Sequence, residues 1–297
     1  MDTTTWRLDG RLVRVSHLDK RFWPEDGLTK GDVLRYYRDL APVLLPYFRE
    51  RPVTLRLFPQ GIHGPSHYRR GRPQRAPAWL RSVAYRVATD GHTLQALLVD
   101  DAAGLVWLAN QGSIEFHLWG SRAPHLTEPD QAIFDLDPGN QASFAAVLQA
   151  ALQLRARLEQ LGLRGYPKTS GGRGLHVYVP LAPGHTFEAV RAWVRAVAEQ
   201  LAAAEPALLA VAHGATHQGR QVTIDYAQNS LGRNTAAPYT LRALPRAPVS
   251  TPLTWEEVAA GQVRPTDWTL QTVRARVQAQ GDLFAPVLQG GQHLPIL

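Results

Sequence analysis

The chain contains no cysteine and a single methionine among its 297 residues. The first absence excludes disulfides, thiolate metal sites and a cysteine nucleophile, so any bound metal must be held by carboxylate or imidazole. No apolar run approaches the roughly 20 residues of a membrane-spanning helix. Met1-Asp2-Thr3-Thr4-Thr5-Trp6 lacks the pattern of a secretory leader. A soluble, cytoplasmic protein with no membrane partner is expected. Internal repeats and low-complexity linkers are also missing. Acid is in short supply: 25 Asp and Glu face 32 Lys and Arg, a formal net charge of +7. That excess favours a polyanionic partner, nucleic acid first. With 44% hydrophobic residues the chain is globular, and its length suits one large domain or two small ones.

What is present centres on Ala132-Ile133-Phe134-Asp135-Leu136-Asp137-Pro138-Gly139, an apolar run that ends in two carboxylates one residue apart. As a strand it puts Asp135 and Asp137 on one face, about 6.6 Å apart along the chain, because side chains alternate with period two. Pro138-Gly139 then breaks the strand. Two carboxylates on one rigid face repel unless a cation lies between them, and oxygen ligands suit hard ions such as Mg²⁺ or Mn²⁺. An isolated Asp-x-Asp more often marks a solvated strand end, so the metal reading depends on partners elsewhere.

One partner is Asp225, which ends a second apolar strand, Gln221-Val222-Thr223-Ile224-Asp225-Tyr226. Another is Lys168-Thr169-Ser170-Gly171-Gly172-Arg173-Gly174, leading into the strand Leu175-His176-Val177-Tyr178-Val179-Pro180. Its glycines allow positive φ and close backbone approach, so loop N–H groups can point at a phosphate. Ser170, Arg173 and His176 add side-chain donors, and Arg233 and Arg242 follow downstream. Three aspartates on strands, a phosphate-type loop and basic residues make the composition of a nucleotidyl-transfer site. Such sites use two metals about 3.5–4 Å apart.

The remaining chain offers weaker signals. Lys20 and Lys30 bracket an aromatic Phe22-Trp23 turn, and Thr29 with Asp32 three residues on marks a helix start. Lys30 in that first turn, together with backbone N–H groups, makes a seat for a phosphate, or else both lysines are solvated. Pro52–Pro59 reads as a strand carrying Arg56. Tyr68-Arg69-Arg70-Gly71-Arg72-Pro73-Gln74-Arg75 sets four arginines beside an aromatic, which suits a phosphate backbone with a stacked base. Residues 95–99, 105–108 and 113–119 read as three strands; on the last, Glu115, His117 and Trp119 share one face. His117 there is either a satisfied core histidine or a substrate-facing one. Ser143 and Thr186 each cap a further helix.

With these motifs assembled, the sequence resembles the polymerase domain of bacterial DNA ligase D, within the archaeo-eukaryotic primase superfamily. The likeness runs from residues 20–30 to Pro248–Trp255 and includes Asp135-Leu136-Asp137-Pro138, residues 170–178 and Ile224-Asp225-Tyr226. It implies an α/β (α+β) fold: a primase-polymerase core with mixed and antiparallel sheets flanked by helices. The expected layout is one catalytic domain over 1–297, with an end-binding segment to about residue 90 and a catalytic core from about 91. It implies a nucleotidyltransferase acting at DNA ends in non-homologous end joining, filling gaps, preferring ribonucleotides and using two Mn²⁺ or Mg²⁺ ions. By carry-over, Asp135, Asp137 and Asp225 bind metal, while His117, Ser170, Arg173, His176 and Arg242 bind the nucleotide. Lys20 and Lys30 match a pocket for a downstream 5′-phosphate, and Arg56 and Tyr68 match template contacts. Nucleoside triphosphates and DNA ends are the implied partners, with Ku and an ATP-dependent DNA ligase as candidates, in the nucleoid. The sequence departs from the family at Arg173, where Lys is usual, at His67-Tyr68, where Phe is expected in the aromatic pair, and at Asn234, where Lys is common. The alternatives are a primase that starts chains de novo and a non-catalytic end-bridging module; the three intact aspartates argue against the second.

Overall fold

The computed structural model describes residues 3–87, 91–212 and 219–297. Met1 and Asp2, part of the N-terminus read above, lie outside the described residues. The first half of the chain runs β1 (Thr3–Leu8), β2 (Arg11–Ser16), β3 (Arg21–Trp23), β4 (Leu28–Thr29), α1 (Lys30–Phe48), β5 (Val53–Leu57), β6 (His67–Arg69), β7 (Ser82–Arg86), β8 (Thr93–Leu97), α2 (Ala102–Asn110) and β9 (Ser113–Trp119). The second runs β10 (Gln131–Pro138), α3 (Phe144–Gln160), β11 (Tyr166–Thr169), β12 (Leu175–Pro180), α4 (Phe187–Ala204), β13 (Leu209–Ala212), β14 (Val222–Asp225), β15 (Asn234–Ala236), α5 (Trp255–Ala260) and α6 (Val273–Gln280).

Two sheets organise these elements. One has the order β11-β12-β10-β14-β13, antiparallel except for the β13–β14 pair; the other has the order β15-β9-β5-β8-β7, with β6 also paired to β5. Alternation explains how each sheet is covered. Phe134, Leu136, Leu175, Val177, Val179 and Ile224 face α3 and α4, whose Val147, Leu154, Val190 and Val197 complete one core. Val53, Leu55, Ile114, Phe116 and Leu118 face α1 and α2, whose Val33, Tyr37, Leu44 and Leu105 complete the other. Each buried Phe or Leu of these layers contributes roughly 1.5–3 kcal/mol. On the opposite faces the polar residues around Asp135 and His117 leave a cleft, while Ile133 and Tyr178 of the first sheet pack into the core of the second.

The helix starts follow the capping signals. Thr29 and Asp32 form a reciprocal capping box on α1, and Ser143 and Thr186 cap α3 and α4 through their hydroxyls. The expected strand at 105–108 is instead the middle of α2, started by the Asp101 carboxylate on the Gly104 N–H. Leu105, Val106 and Leu108 are all buried, so this run has no polar face from which a period could be read. The expected boundary near residue 90 lies outside the described residues, in the connection between the paired strands β7 and β8. The second sheet takes strands from both sides of it, since β5 and β9 are neighbours and β15 returns to their edge.

Candidate active site

The central strand β10 fixes the chemistry of the first sheet. In register, Lys168 of β11 lies opposite His176 of β12, His176 opposite Asp135 of β10, and Asp135 opposite Asp225 of β14. One row thus crosses four strands on a single face, because directly opposed residues of an antiparallel pair point the same way. His176 Nε2 lies 3.2 Å from Asp135 Oδ1, and Asp225 Oδ1 accepts the Ala227 N–H at 2.8 Å. Asp137 follows two residues after Asp135 and projects into the same cleft.

The acid pair is electrostatically unsatisfied. Burial pushes the Asp135 carboxyl up to about 6, against the pull of Lys168 and Arg242. The neighbouring Asp135 charge, then burial, pushes Asp137 up to about 6 as well. Asp135 Oδ1 is buried without a hydrogen bond of good geometry. Among the described residues no three His, Asp or Glu side chains form a preassembled metal cage. Yet a buried carboxylate whose charge raises its neighbour's pKa, an oxygen without a hydrogen bond and a third carboxylate one strand away are a donor set that fits hard divalent cations.

The glycine loop closes one side. Gly171 has φ +70° and a Cβ there would meet Arg242 Cγ at 2.7 Å, while one at Gly174 would lie 2.5 Å from the Leu136 carbonyl. The first contact presses the loop against Arg242 and the Val249–Ser250 backbone, the second against β10, and only glycine permits them. The Ser170 hydroxyl accepts the N–H groups of Gly172 and Gly174, both at 3.1 Å. Two of the amides expected to face a phosphate are therefore occupied, and the Ser170 hydrogen remains to be donated outward. Arg173 donates to the Gly139 carbonyl at 2.8 Å, tying the loop to the end of β10. Arg242 donates to the Ser170 carbonyl.

The second sheet contributes a facing row. Tyr68 of β6 pairs with Arg56 of β5, which pairs with Glu115 of β9. Arg56 sits over the Phe58 and Tyr68 rings at 5.0 and 5.4 Å, leaving Tyr68 59% exposed. Glu115, 1% exposed, receives His117 Nε2 at 3.0 Å, the Ala243 N–H at 3.0 Å and Arg56 Nη1 at 3.4 Å, with Arg242 Nε at 3.3 Å. Burial would raise this carboxyl; the His117 hydrogen bond and the Arg242 charge bring it instead to about 2. Burial also lowers His117, against the pull of Glu115. Tyr68, Asp135 and His176 of the two rows line a cleft of about 550 Å³ together with Thr54, Arg70, His117, Asp137, Ser170, Arg173, Arg233 and Arg242.

A larger cavity of about 930 Å³ lies elsewhere, beside the C-terminal end of α1. Its charges are mostly mutually paired, as in Arg11 with Asp101, Arg81 with Glu50 and Asp100, and Arg122 with Asp130. The smaller cleft is the better candidate because Asp135 and Asp137 stand in it side by side with raised pKa values and Asp135 Oδ1 accepts no hydrogen bond.

Lys20 and Lys30 do meet. The Lys30 N–H donates to the Lys20 carbonyl at 2.8 Å, and burial together with the Lys20 charge pushes Lys30 down to about 8. Their ammonium groups rest on backbone oxygens, Lys20 on Pro59 and Lys30 on Ser16. The first-turn amides are not available to an anion as expected. Lys30 and Gly31 donate to Lys20 and Leu18, because the turn between β2 and β3 folds its carbonyls over the helix end. Arg72 also departs from expectation: it donates to the carbonyls of Leu80, Ala76 and Pro77 and braces its own loop.

Two cleft residues escaped the sequence reading. Thr54 was accessible by period two from Arg56; Gln228 carries no such signal, since its neighbours across the fold define it.

The family described as LigD, primase-polymerase domain, matches residues 29–284. The multifunctional non-homologous end joining protein LigD of Mycolicibacterium smegmatis is 33% identical over 279 residues, 93% of this chain and 36% of that protein. The bifunctional non-homologous end joining protein LigD of Bacillus subtilis is 30% identical over 289 residues, 96% of this chain and 45% of that one. The chain therefore spans less than half the length of these relatives. The solved polymerase domain of Mycobacterium tuberculosis ligase D, in complex with DNA, superimposes with a TM-score of 0.86 at 31% identity, covering 94% of this chain and 98% of that one. A fold in which the aspartate strand, the glycine loop and the third carboxylate converge on one cleft agrees with that match, and the chain belongs to the LigD primase-polymerase domain family.

Proposed function

We propose that this chain is a DNA-directed nucleotidyltransferase that fills gaps and extends ends at double-strand breaks during non-homologous end joining. The observation that carries this reading is the shared cleft of Asp135, Asp137, Ser170, His176 and Arg242, with Asp225 opposite Asp135 in register. Asp135, Asp137 and Asp225 would hold Mn²⁺ or Mg²⁺ ions, which activate the attacking hydroxyl and neutralise phosphate charge when bound. The chain's own residues do the positioning. Ser170, Arg173, His176 and Arg242 bind the triphosphate and His117 the sugar side, supplying donors where negative charge grows on the transferring phosphate. Arg56 and Tyr68 support the template, and Lys20 and Lys30 take a downstream 5′-phosphate. Preference for ribonucleotides, and action with Ku and an ATP-dependent ligase, belong to the same proposal.

Primer extension on a gapped duplex tests it, comparing ribo- with deoxynucleotides and Mn²⁺ with Mg²⁺. Asp137→Ala should lose nucleotide addition while retaining DNA binding, because removing a ligand forfeits several kcal/mol of charge stabilisation. Extension by Asp137→Ala at near the wild-type rate would put the active site elsewhere. Dinucleotide synthesis on unprimed single strands would instead identify a primase.

A further inference from the structure

We propose that Glu115, to which the metal, nucleotide and template roles above assign nothing, is the positioning residue for both substrates: its two carboxylate oxygens hold Arg56 on the template side and Arg242 with His117 on the nucleotide side. The contacts divide between the oxygens. Oε1 accepts the Ala243 N–H at 3.0 Å and Arg56 Nη1 at 3.4 Å, whereas Oε2 lies 3.0 Å from His117 Nε2 and 3.3 Å from Arg242 Nε. Tyr68, His117 and Arg242 line the cleft, and the buried Glu115 stands behind them.

Register brings these groups together. Glu115 of β9 is opposite Arg56 of β5 and two residues before His117, so all three share one face. A carboxylate buried this deeply persists only where donors replace its lost water. Ionised, it accepts at about four positions, and the four donors around it leave no lone pair for a metal ion. Arg242 is held twice, because the amide bonded to Oε1 belongs to the next residue. The two guanidinium groups still have donors to give. Arg56 Nε and Arg242 Nε are buried with no hydrogen-bond partner among the described residues. Their contacts to Glu115, at 3.4 and 3.3 Å, are longer than the roughly 2.7–2.9 Å of a tight charge-assisted bond. Glu115 thus fixes where each cation stands without taking up the donors that an anionic strand or triphosphate would accept. Without its charge, two like charges would share one buried wall with no anion between them, and both would move out of position.

This inference rests on the nucleotidyl-transfer reading for what the arginines hold, and its first measurement needs neither DNA nor nucleotide. In the ligand-free wild type, ¹⁵N relaxation of the Arg56 and Arg242 Nε–H groups should give order parameters near the value of rigid backbone, about 0.85. Glutamine has one acceptor for the two sides and a charge for neither, so in Glu115→Gln both should fall towards the flexible range below about 0.6. Primer extension with Mn²⁺ then reads the consequence, on a gapped duplex with a 5′-hydroxyl so that Lys20 and Lys30 add little. The apparent KM for ribonucleoside triphosphate and the KM for the duplex should both rise about tenfold in Glu115→Gln, one charge-assisted hydrogen bond on each side. A merely structural carboxylate would give a different result: the variant would melt lower, with both constants unchanged in the folded protein, and that overturns the proposal. A rise confined to one constant also overturns it, since Glu115 would then serve one side alone. Mobile arginines in the wild type refute it without any variant, so a Glu115→Gln chain that fails to fold does not protect it. Ordered arginines in a wild-type protein that adds no nucleotide would leave Glu115 as their holder and refute the polymerase reading.

Discussion

Replacing Asp135 by asparagine should abolish nucleotide addition and make the folded protein more stable. Asp135 is 7% exposed, and burial raises its carboxyl from 3.8 to about 6. A folded-state pKa above the unfolded one favours folding of the protonated form: the stabilisation is complete below 3.8 and lost as pH rises through about 6. At pH 8 the wild type therefore carries the full penalty of a buried, unneutralised charge, about 3 kcal/mol at 1.36 kcal/mol per pH unit. Asparagine keeps the shape and removes the charge. Weakening the contact to His176 returns about 1 kcal/mol, leaving about 2 kcal/mol, or roughly 3 °C in Tm for a chain of this size. The assay is thermal unfolding of both proteins with a chelator at pH 8 and pH 4, followed by Mn²⁺ addition at pH 8. The variant should melt higher at pH 8, and the gap should close by pH 4. Mn²⁺ should raise the Tm of the wild type and not of the variant, since only the native carboxylate set binds it. A variant that melts below the wild type at pH 8 in chelator, or equal stabilisation of both by Mn²⁺, would refute the reasoning.

Three further outcomes are expected. Glu115→Gln replaces an acceptor-only group surrounded by donors with one that must turn its NH₂ towards two of them. The native carboxyl lies at about 2 against 4.5, so about 3 kcal/mol should be lost above pH 4.5, with the difference shrinking as pH falls towards 2; equal urea midpoints at pH 7 would contradict this. Gapped duplexes with a 5′-phosphate should bind about tenfold tighter than 5′-hydroxyl ones at fixed salt, as one charge-assisted hydrogen bond allows. That preference should disappear in the Lys20→Ala, Lys30→Ala double mutant and weaken above pH 8 as Lys30 loses its proton, whereas a preference indifferent to both would exclude the pocket. Arg72→Ala should cost about 2–4 kcal/mol in stability through its three carbonyl bonds and leave DNA affinity unchanged, so a purely DNA-binding defect would return Arg72 to the basic surface.

Local chemistry was legible in the sequence because it depends on residues a few positions apart. The caps Thr29, Ser143 and Thr186 act on amides within one turn, and period two on β10 sets Asp135 and Asp137 on one face. The glycines at 171 and 174 announced a close approach, and the motif types announced nucleotidyl transfer. What failed were statements about partners. The first-turn amides of α1 looked open until the turn between β2 and β3 covered them, and Arg72 looked like a phosphate contact until it bonded the carbonyls of its own loop. The run 105–108 had no polar face by which to tell strand from helix. Above all, no spacing in the sequence states that Lys168, His176, Asp135 and Asp225 stand side by side, or that Tyr68, Arg56 and Glu115 form the row across the cleft. Those neighbours are set by strand order and register, and register is chosen by which alternation buries the apolar faces against α1 to α4. The sequence determined which groups are available for the proposed chemistry, and the pairing of the sheets decided which of them meet.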